Sequence, residues 1–299
     1  MADLDDLLVK TSRTFALSIP VLPEPTRSEV TISYLLFRIA DTFEDASHWE
    51  AQFRIEALER FVELLRAEND DDGAQDVERW LSLSPSAHDG YIELLAEVPA
   101  VLEAFRALAP RAQAEIRRRT IQSSQGMVEY VNRTAAGGLQ LRDLADLRHY
   151  CYVVAGLVGE LLTELFLLGR ESLEPVADCL RQRSRSFGEA LQLVNILKDS
   201  ADDALEGRRY LPVGVPRDEV FRLARRDLDS STEYVRVLER APAPRGLVAF
   251  TALAVLLARA TLDRVQSEGP GTKLSRPEVA GIVQQMNLAL DEDRSAVPA

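Results

Sequence analysis

The sequence predicts an all-α protein, and three observations carry that prediction. Polar residues recur at helical spacing inside apolar stretches. Tyr34, Arg38, Asp41 and Asp45 fall at i, i+4, i+7 and i+11, and Gln192, Asn195, Asp199 and Asp203 at i, i+3, i+7 and i+11; both spacings hold one face of a 3.6-residue helix. Only 15 residues of 299 are glycine and 6% are aromatic, which disfavours a large β-sandwich or barrel. Prolines fall between periodic segments and rarely within them, as expected of a residue that cannot continue a helix.

The elements follow in order. Pro20, Pro23 and Pro25 close a short lead-in, and a helix begins near Thr26. Pro85, Pro99 and Pro110 separate mid-chain helices, and Asn69 to Gly73 reads as an exposed loop. Arg117, Arg118 and Arg119 lie on a helix and read as a solvated face. Pro175 opens another helix near its N-terminus, a favoured place for proline. Pro212 and Pro216 mark a turn after the second acidic stretch. Pro242 and Pro244 precede an apolar helix from about Arg245 to Ser267, ended by Gly269, Pro270 and Gly271. The pattern amounts to about ten helices and no strand pair. No fixed-period repeat suggests a solenoid, and no low-complexity linker divides the chain. A single domain over 1–299 is expected, with a polar tail from about 290.

Composition narrows the function classes. The net charge of −13 argues against nucleic-acid binding and against anionic lipid head groups. Cys151 and Cys179 have no metal-ligand spacing and sit in apolar helical pattern, so both read as buried free thiols of a reducing cytosol. The acidic N-terminus does not read as a signal peptide. Tyr150 to Gly169 is interrupted by Glu160 and Glu164, and Gly246 to Ala258 falls short of the roughly 20 residues that span a bilayer. Both read as core helices of a soluble, cytoplasmic protein.

The two acidic clusters, about 150 residues apart, carry the chemistry. Each places aspartates at i and i+4, about 5–6 Å apart at Cβ. A lone pair of this kind is ordinarily a solvated helix face. Here both continue an in-phase polar stripe, and both follow a cation closely, Arg38 or Lys198. Mg²⁺ prefers oxygen ligands, takes one or two carboxylates, and completes its shell from water and substrate phosphate. Two such pairs suit a Mg²⁺–diphosphate, with Arg13, Arg38, Lys198, Arg208 and Arg209 as phosphate clamps. Other chemistries lack their residues. His48, His88 and His149 do not pair at zinc spacing, no Walker A motif is present, and Gly156 to Gly159 lacks the strand context of a dinucleotide fingerprint.

Four ordered motifs, over about residues 8–215, resemble the squalene/phytoene synthase family of head-to-head prenyltransferases. They are Thr11 to Ala16 (the N-terminal phosphate segment), Arg38 to Asp45 (the first aspartate motif), Tyr150 to Gly159 (the tyrosine helix), and Gln192 to Asp203 with Gly207 to Pro212 (the second aspartate motif and its tail). The resemblance implies an all-α, single-domain isoprenoid synthase fold with a central apolar cavity. It implies that two prenyl diphosphates, commonly farnesyl, bind with Mg²⁺ and condense through a cyclopropyl presqualene diphosphate. Squalene synthases then reduce that intermediate with NADPH.

Carried over by position, the resemblance makes Asp41, Asp45, Asn195, Asp199 and Asp203 metal ligands. Ser12, Arg13, Tyr34, Arg38, Gln192, Lys198 and Arg208 would hold diphosphate. Tyr150 would face the cationic carbons with Phe15 and Arg38, and Val154, Ala155, Val158 and Leu161 would wall the prenyl cavity. Read alone, Tyr150 and Phe15 are ordinary core aromatics, and Ser12 an ordinary N-cap.

The chain departs from the family at Lys198, where squalene synthases usually carry Arg, and at Asp202, which replaces an inner Glu. The inner Thr42, Phe43 and Glu44 look like the squalene-synthase version of the first motif, so squalene is the favoured product. The alternatives are phytoene, dehydrosqualene or presqualene diphosphate made without reduction, and a non-catalytic scaffold of the same fold. The C-terminal membrane helix of eukaryotic squalene synthases has no counterpart here. That difference suggests a bacterial-type soluble or peripheral enzyme; a cytoplasmic monomer is expected, and its lipid-soluble product suits transient contact with the inner membrane face.

Overall fold

The computed structural model describes residues 3–12, 14–67, 72–134 and 138–297. Arg13, and Asn69, Asp70 and Asp71 of the expected Asn69–Gly73 loop, lie outside the described residues. Among the described residues there is no strand; one isolated parallel bridge joins Gln140 to Arg209. The chain divides into two compact units, Met1–Pro20 with Glu24–Gly137, and Val21–Pro23 with Gly138–Ala299.

The first unit contains α1 (Leu4–Thr11), α2 (Phe15–Ser18), α3 (Thr26–Asp45), α4 (Ala51–Arg66), α5 (Ala74–Ser82), α6 (Asp89–Ala96), α7 (Val98–Arg106) and α8 (Pro110–Thr134). Helix α3 packs against α1, α4, α6, α7 and α8. Its apolar face is the reason: Leu35, Leu36, Ile39 and Phe43 are fully buried, each worth about 1.5–3 kcal/mol of burial. Phe43 also meets the rings of Trp80 (4.6 Å) and Phe61 (6.2 Å). Gly73 adopts φ +76°, a left-handed conformation that glycine tolerates, and starts α5.

The second unit contains α9 (Leu144–Cys151), a π-helical turn (Tyr152–Gly156), α10 (Leu157–Leu167), α11 (Ala177–Leu205), α12 (Arg217–Arg240), α13 (Arg245–Glu268) and α14 (Arg276–Asp291). Helix α11 contacts α9, the π-turn, α10, α12 and α13. The approach is backbone to backbone. A Cβ on Gly188 would lie 1.9 Å from the Ala155 carbonyl oxygen, and one on Gly159 would lie 2.1 Å from that of Ser184.

Several expectations need correction. The short helices α1, α2, α5, α6, α7 and α9 give a finer division than the periodicity implied. Pro175 sits inside a 3₁₀ turn, Glu171–Val176, and α11 starts after it. Cys179 is exposed, because Ala177, Leu180 and Ser184 form the buried face of that turn of α11; Cys151 is buried as expected. Arg117 is not simply solvated: its Nε donates to the Leu65 carbonyl and its guanidinium lies over Phe105. The tail is not wholly solvent-facing, since Ala296 and Val297 are buried and Glu239 accepts from Ser295 Oγ and Ala296 N–H. Leu144–Leu167 and Arg245–Glu268 are long and apolar enough to cross a membrane by length and composition, and 61% and 67% of their apolar windows are buried.

Candidate active site

In the first unit the site residues lie on the only partly polar face of α3. Tyr34, Arg38 and Asp41 are half-buried and Asp45 is exposed, while their neighbours Leu35, Leu36, Phe37, Ile39 and Ala40 are buried. Arg38 Nη1 lies 3.3 Å from Asp41 Oδ2. Its Nε donates to Tyr34 Oη at 3.4 Å, and its guanidinium stands over the rings of Tyr34 (5.6 Å) and Tyr91 (5.2 Å). Tyr34 Oη in turn donates to the Thr11 carbonyl at 2.7 Å, tying α3 to the end of α1. The Phe15 ring lies 5.4 Å from Tyr34. The Ser12 hydroxyl accepts from the Phe15 N–H at 2.9 Å, but Ser12 is the C-cap of α1, and the N-cap position of α2 is Thr14, which makes no side-chain capping bond. Arg13 lies outside the described residues.

Electrostatics mark Asp41. Burial pushes its carboxyl up to about 6, the nearby Asp45 pushes the same way, and Arg38 opposes both. Burial also works against the charge of Arg38, but Asp41, Tyr34 and Tyr91 more than restore it, so Arg38 remains a cation. A carboxylate held up by desolvation lacks enough positive charge around it.

The second unit repeats the theme on α11. Lys198 Nζ lies 2.5 Å from Asp199 Oδ2, and Arg208 Nη2 lies 3.7 Å from Asp203 Oδ1. Gln192, Asp199 and Asp203 are half-buried and Asn195 is exposed. The Gly207–Pro212 tail is held back against the helix. Arg208 N–H donates to the Asp203 carbonyl, Arg209 N–H to the Leu139 carbonyl, and Leu141 N–H to the Arg209 carbonyl. Gly138, at φ +96°, permits that crossing, since a Cβ there would lie 2.5 Å from the Gly207 carbonyl oxygen. Tyr150 is buried and stacks on Tyr210 at 4.9 Å. Val154, Ala155 and Val158 are half-buried, whereas Leu161 is fully buried.

Two contributors escaped sequence reasoning. Tyr91 lies on the separate short helix α6, and no local spacing links it to Arg38. Tyr210 stood within the tail motif without a role; its ring supports Tyr150.

The donor set fits Mg²⁺ of the kind that substrate phosphate completes. Among the described residues no three His, Cys, Asp or Glu side chains gather as a metal cluster. Each cluster instead offers two carboxylates a helical turn apart, which is what Mg²⁺ takes from protein when phosphates and water supply the rest. The desolvated Asp41 is the carboxylate such a cation would relieve.

Comparison with known proteins bears on the family and the fold. The squalene/phytoene synthase family model matches residues 8–281. The chain is 30% identical over 207 residues to a squalene synthase of Candida albicans and 32% identical over 208 residues to that of Saccharomyces cerevisiae. Each match takes in 69% of this chain and 44% of the relative, so the chain matches less than half the length of these relatives. Among solved structures, TcSQS with the ligand BPH1237 has a TM-score of 0.76 at 24% identity, covering 97% of this chain and 88% of that one. A dehydrosqualene synthase in complex with a ligand has a TM-score of 0.67 at 20% identity, covering 97% and 95%. These likenesses show the all-α isoprenoid synthase fold. With the family model matched over nearly the whole chain and the motif residues standing on one face of each helix, the chain belongs to the squalene/phytoene synthase family.

Proposed function

We propose that this chain condenses two farnesyl diphosphates head to head, through presqualene diphosphate, to squalene, with Mg²⁺ and with NADPH as hydride donor. One observation carries the reading: each aspartate cluster already holds a cation beside its carboxylates, Arg38 on Asp41, and Lys198 and Arg208 on Asp199 and Asp203. The squalene synthase relatives supply the reaction class.

Asp41, Asp45, Asn195, Asp199 and Asp203 would hold Mg²⁺, which when bound neutralises charge on the diphosphate leaving group. Ser12, Arg13, Tyr34, Arg38, Gln192, Lys198 and Arg208 would orient the diphosphates, with Arg supplying forked contacts and Lys a point charge. The allylic C–O bond breaks with its electron pair leaving on diphosphate. The double bond of the second substrate attacks the cation, and proton loss closes the cyclopropane. Tyr150, braced by Tyr210, would face the carbons bearing the charge, and Phe15 would shield them by its ring. Val154, Ala155, Val158 and Leu161 would wall a central apolar cavity and exclude water from the cation.

Because squalene partitions into lipid, we also propose a cytoplasmic protein in transient peripheral contact with membrane. The test is incubation with farnesyl diphosphate and Mg²⁺, with and without NADPH, and identification of products by mass spectrometry. Squalene that requires NADPH is expected. Presqualene diphosphate or dehydrosqualene regardless of NADPH would keep the condensation and remove the reduction. A folded protein inert toward farnesyl and geranylgeranyl diphosphate would overturn the reading.

A further inference from the structure

A buried charge cluster joins α9, α11 and α12, and no metal or diphosphate role uses it. Glu189, on α11, is fully buried. Both of its carboxylate oxygens are taken: Oε2 accepts from Arg148 Nη2 at 3.1 Å, and Oε1 accepts from Arg185 Nε at 2.5 Å. The two arginines are almost half exposed, so the carboxylate alone bears the full cost of leaving water. Asp227 of α12 is buried nearby. Its Oδ2 has no hydrogen-bond partner, and neither has Arg148 Nε.

Stability alone is a weak reason for such an arrangement. Replacing a buried ion pair by packed apolar residues is often neutral or stabilising. What Glu189 touches suggests another reason. Arg148 stands two residues before Tyr150, and Arg185 lies over the ring of Tyr152, 4.4 Å from its centroid. Glu189 therefore grips the chain on both sides of Tyr150. The segment it grips runs into the π-turn Tyr152–Gly156, where one extra residue is fitted into the helix. A π-turn has no local preference to hold it and is commonly kept at functional sites by its surroundings. Here the surroundings are close. A Cβ on Gly156 would meet Glu189 Cγ at 3.4 Å, and the Ala155 carbonyl lies against Gly188. The carboxylate thus sits beside the turn that follows Tyr150 by two residues.

We propose that Glu189 is a positioning residue: through Arg148 and Arg185 it fixes the register of the π-turn and so the orientation of Tyr150 on Tyr210. The proposal rests on the reading that Tyr150 faces the reacting carbons, and its test keeps the two apart.

The seven tyrosines are replaced by 3-fluorotyrosine, and the Tyr150 fluorine line is assigned from its loss in Tyr150→Phe. In Glu189→Gln the Tyr150 line is expected to split or broaden. Turnover of farnesyl diphosphate should fall about ten- to a hundredfold, as misplacement of a reacting group does, with KM changed by less than about twofold. Arg148→Gln, which leaves the Glu189–Arg185 pair in place, should do the same to a smaller degree and secures the test if Glu189→Gln does not fold. A merely structural role would lower the melting temperature and leave both the line and kcat of the folded protein unchanged; that result overturns the proposal, as does a fall in kcat with the Tyr150 line unmoved. If the wild type makes no product, the functional reading fails, and the Tyr150 line by itself then decides the positioning role.

Discussion

Replacing Asp41 by Asn should make the metal-free protein more stable while removing its turnover. Burial raises the Asp41 carboxyl from 3.8 to about 6. A carboxylate raised in the folded state favours folding only when protonated. Its contribution is fully present below the unfolded value near 3.8 and is lost as pH rises through about 6. At pH 8 the folded protein therefore carries a charge it would rather not carry. At about 1.4 kcal/mol per pH unit the full penalty is about 3 kcal/mol. The Asp41 side chain is 28% exposed, and solvent reduces the penalty to about 1–2 kcal/mol. Asn keeps the shape and removes the charge, and Arg38 retains Tyr34 and Tyr91 as neighbours. Urea unfolding in metal-free buffer should show the Asn variant more stable at pH 8, with the difference closing as pH falls below 4. Mg²⁺ with inorganic diphosphate should stabilise the wild type more than the variant, which keeps the other assigned ligands. A variant equal to or weaker than wild type at pH 8, or a gain independent of pH, would refute the reasoning.

Three further outcomes follow from the same geometry. Gly188→Ala would drive a methyl to 1.9 Å from the Ala155 oxygen; urea titration should show a loss of about 1–3 kcal/mol, despite the roughly 1 kcal/mol that Ala gains over Gly in a helix. Tyr150→Phe should lower kcat far more than it raises KM; unchanged kinetics would reduce Tyr150 to packing against Tyr210. At the surface, Arg264, with the Ser275 hydroxyl and backbone N–H, holds the Glu278 carboxyl down at about 2. That contribution exists above the ordinary value of 4.5 and fades as pH falls toward 2. Glu278→Gln should therefore speed amide exchange in the first turn of α14 at pH 7, and the difference should vanish near pH 2.

The helical class and the two polar stripes were legible in the sequence because a 3.6-residue period places them on one face whatever the tertiary context. The structure confirms this at α3, where only Tyr34, Arg38, Asp41 and Asp45 escape burial within that stretch. Contacts between distant elements were not legible. Tyr91 reaches Arg38 from another helix, and Glu189 reaches Arg148 across about 40 residues of chain. The π-turn at Tyr152–Gly156 was hidden for a related reason: it is enforced by close packing on Gly188, and its own residues read as ordinary apolar helix. Cys179 misled because an apolar neighbourhood does not say which side of a helix turn faces the core.

In the proposed reaction each aspartate cluster is needed for Mg²⁺-dependent ionisation. Release of inorganic diphosphate from farnesyl diphosphate tests it most directly, in wild type, Asp41→Ala and Asp199→Ala, each with and without Mg²⁺ and each checked for intact helical content. Mg²⁺-dependent release by the wild type and its loss in both variants are expected. Full release by either variant, or release by the wild type without Mg²⁺, would contradict that expectation.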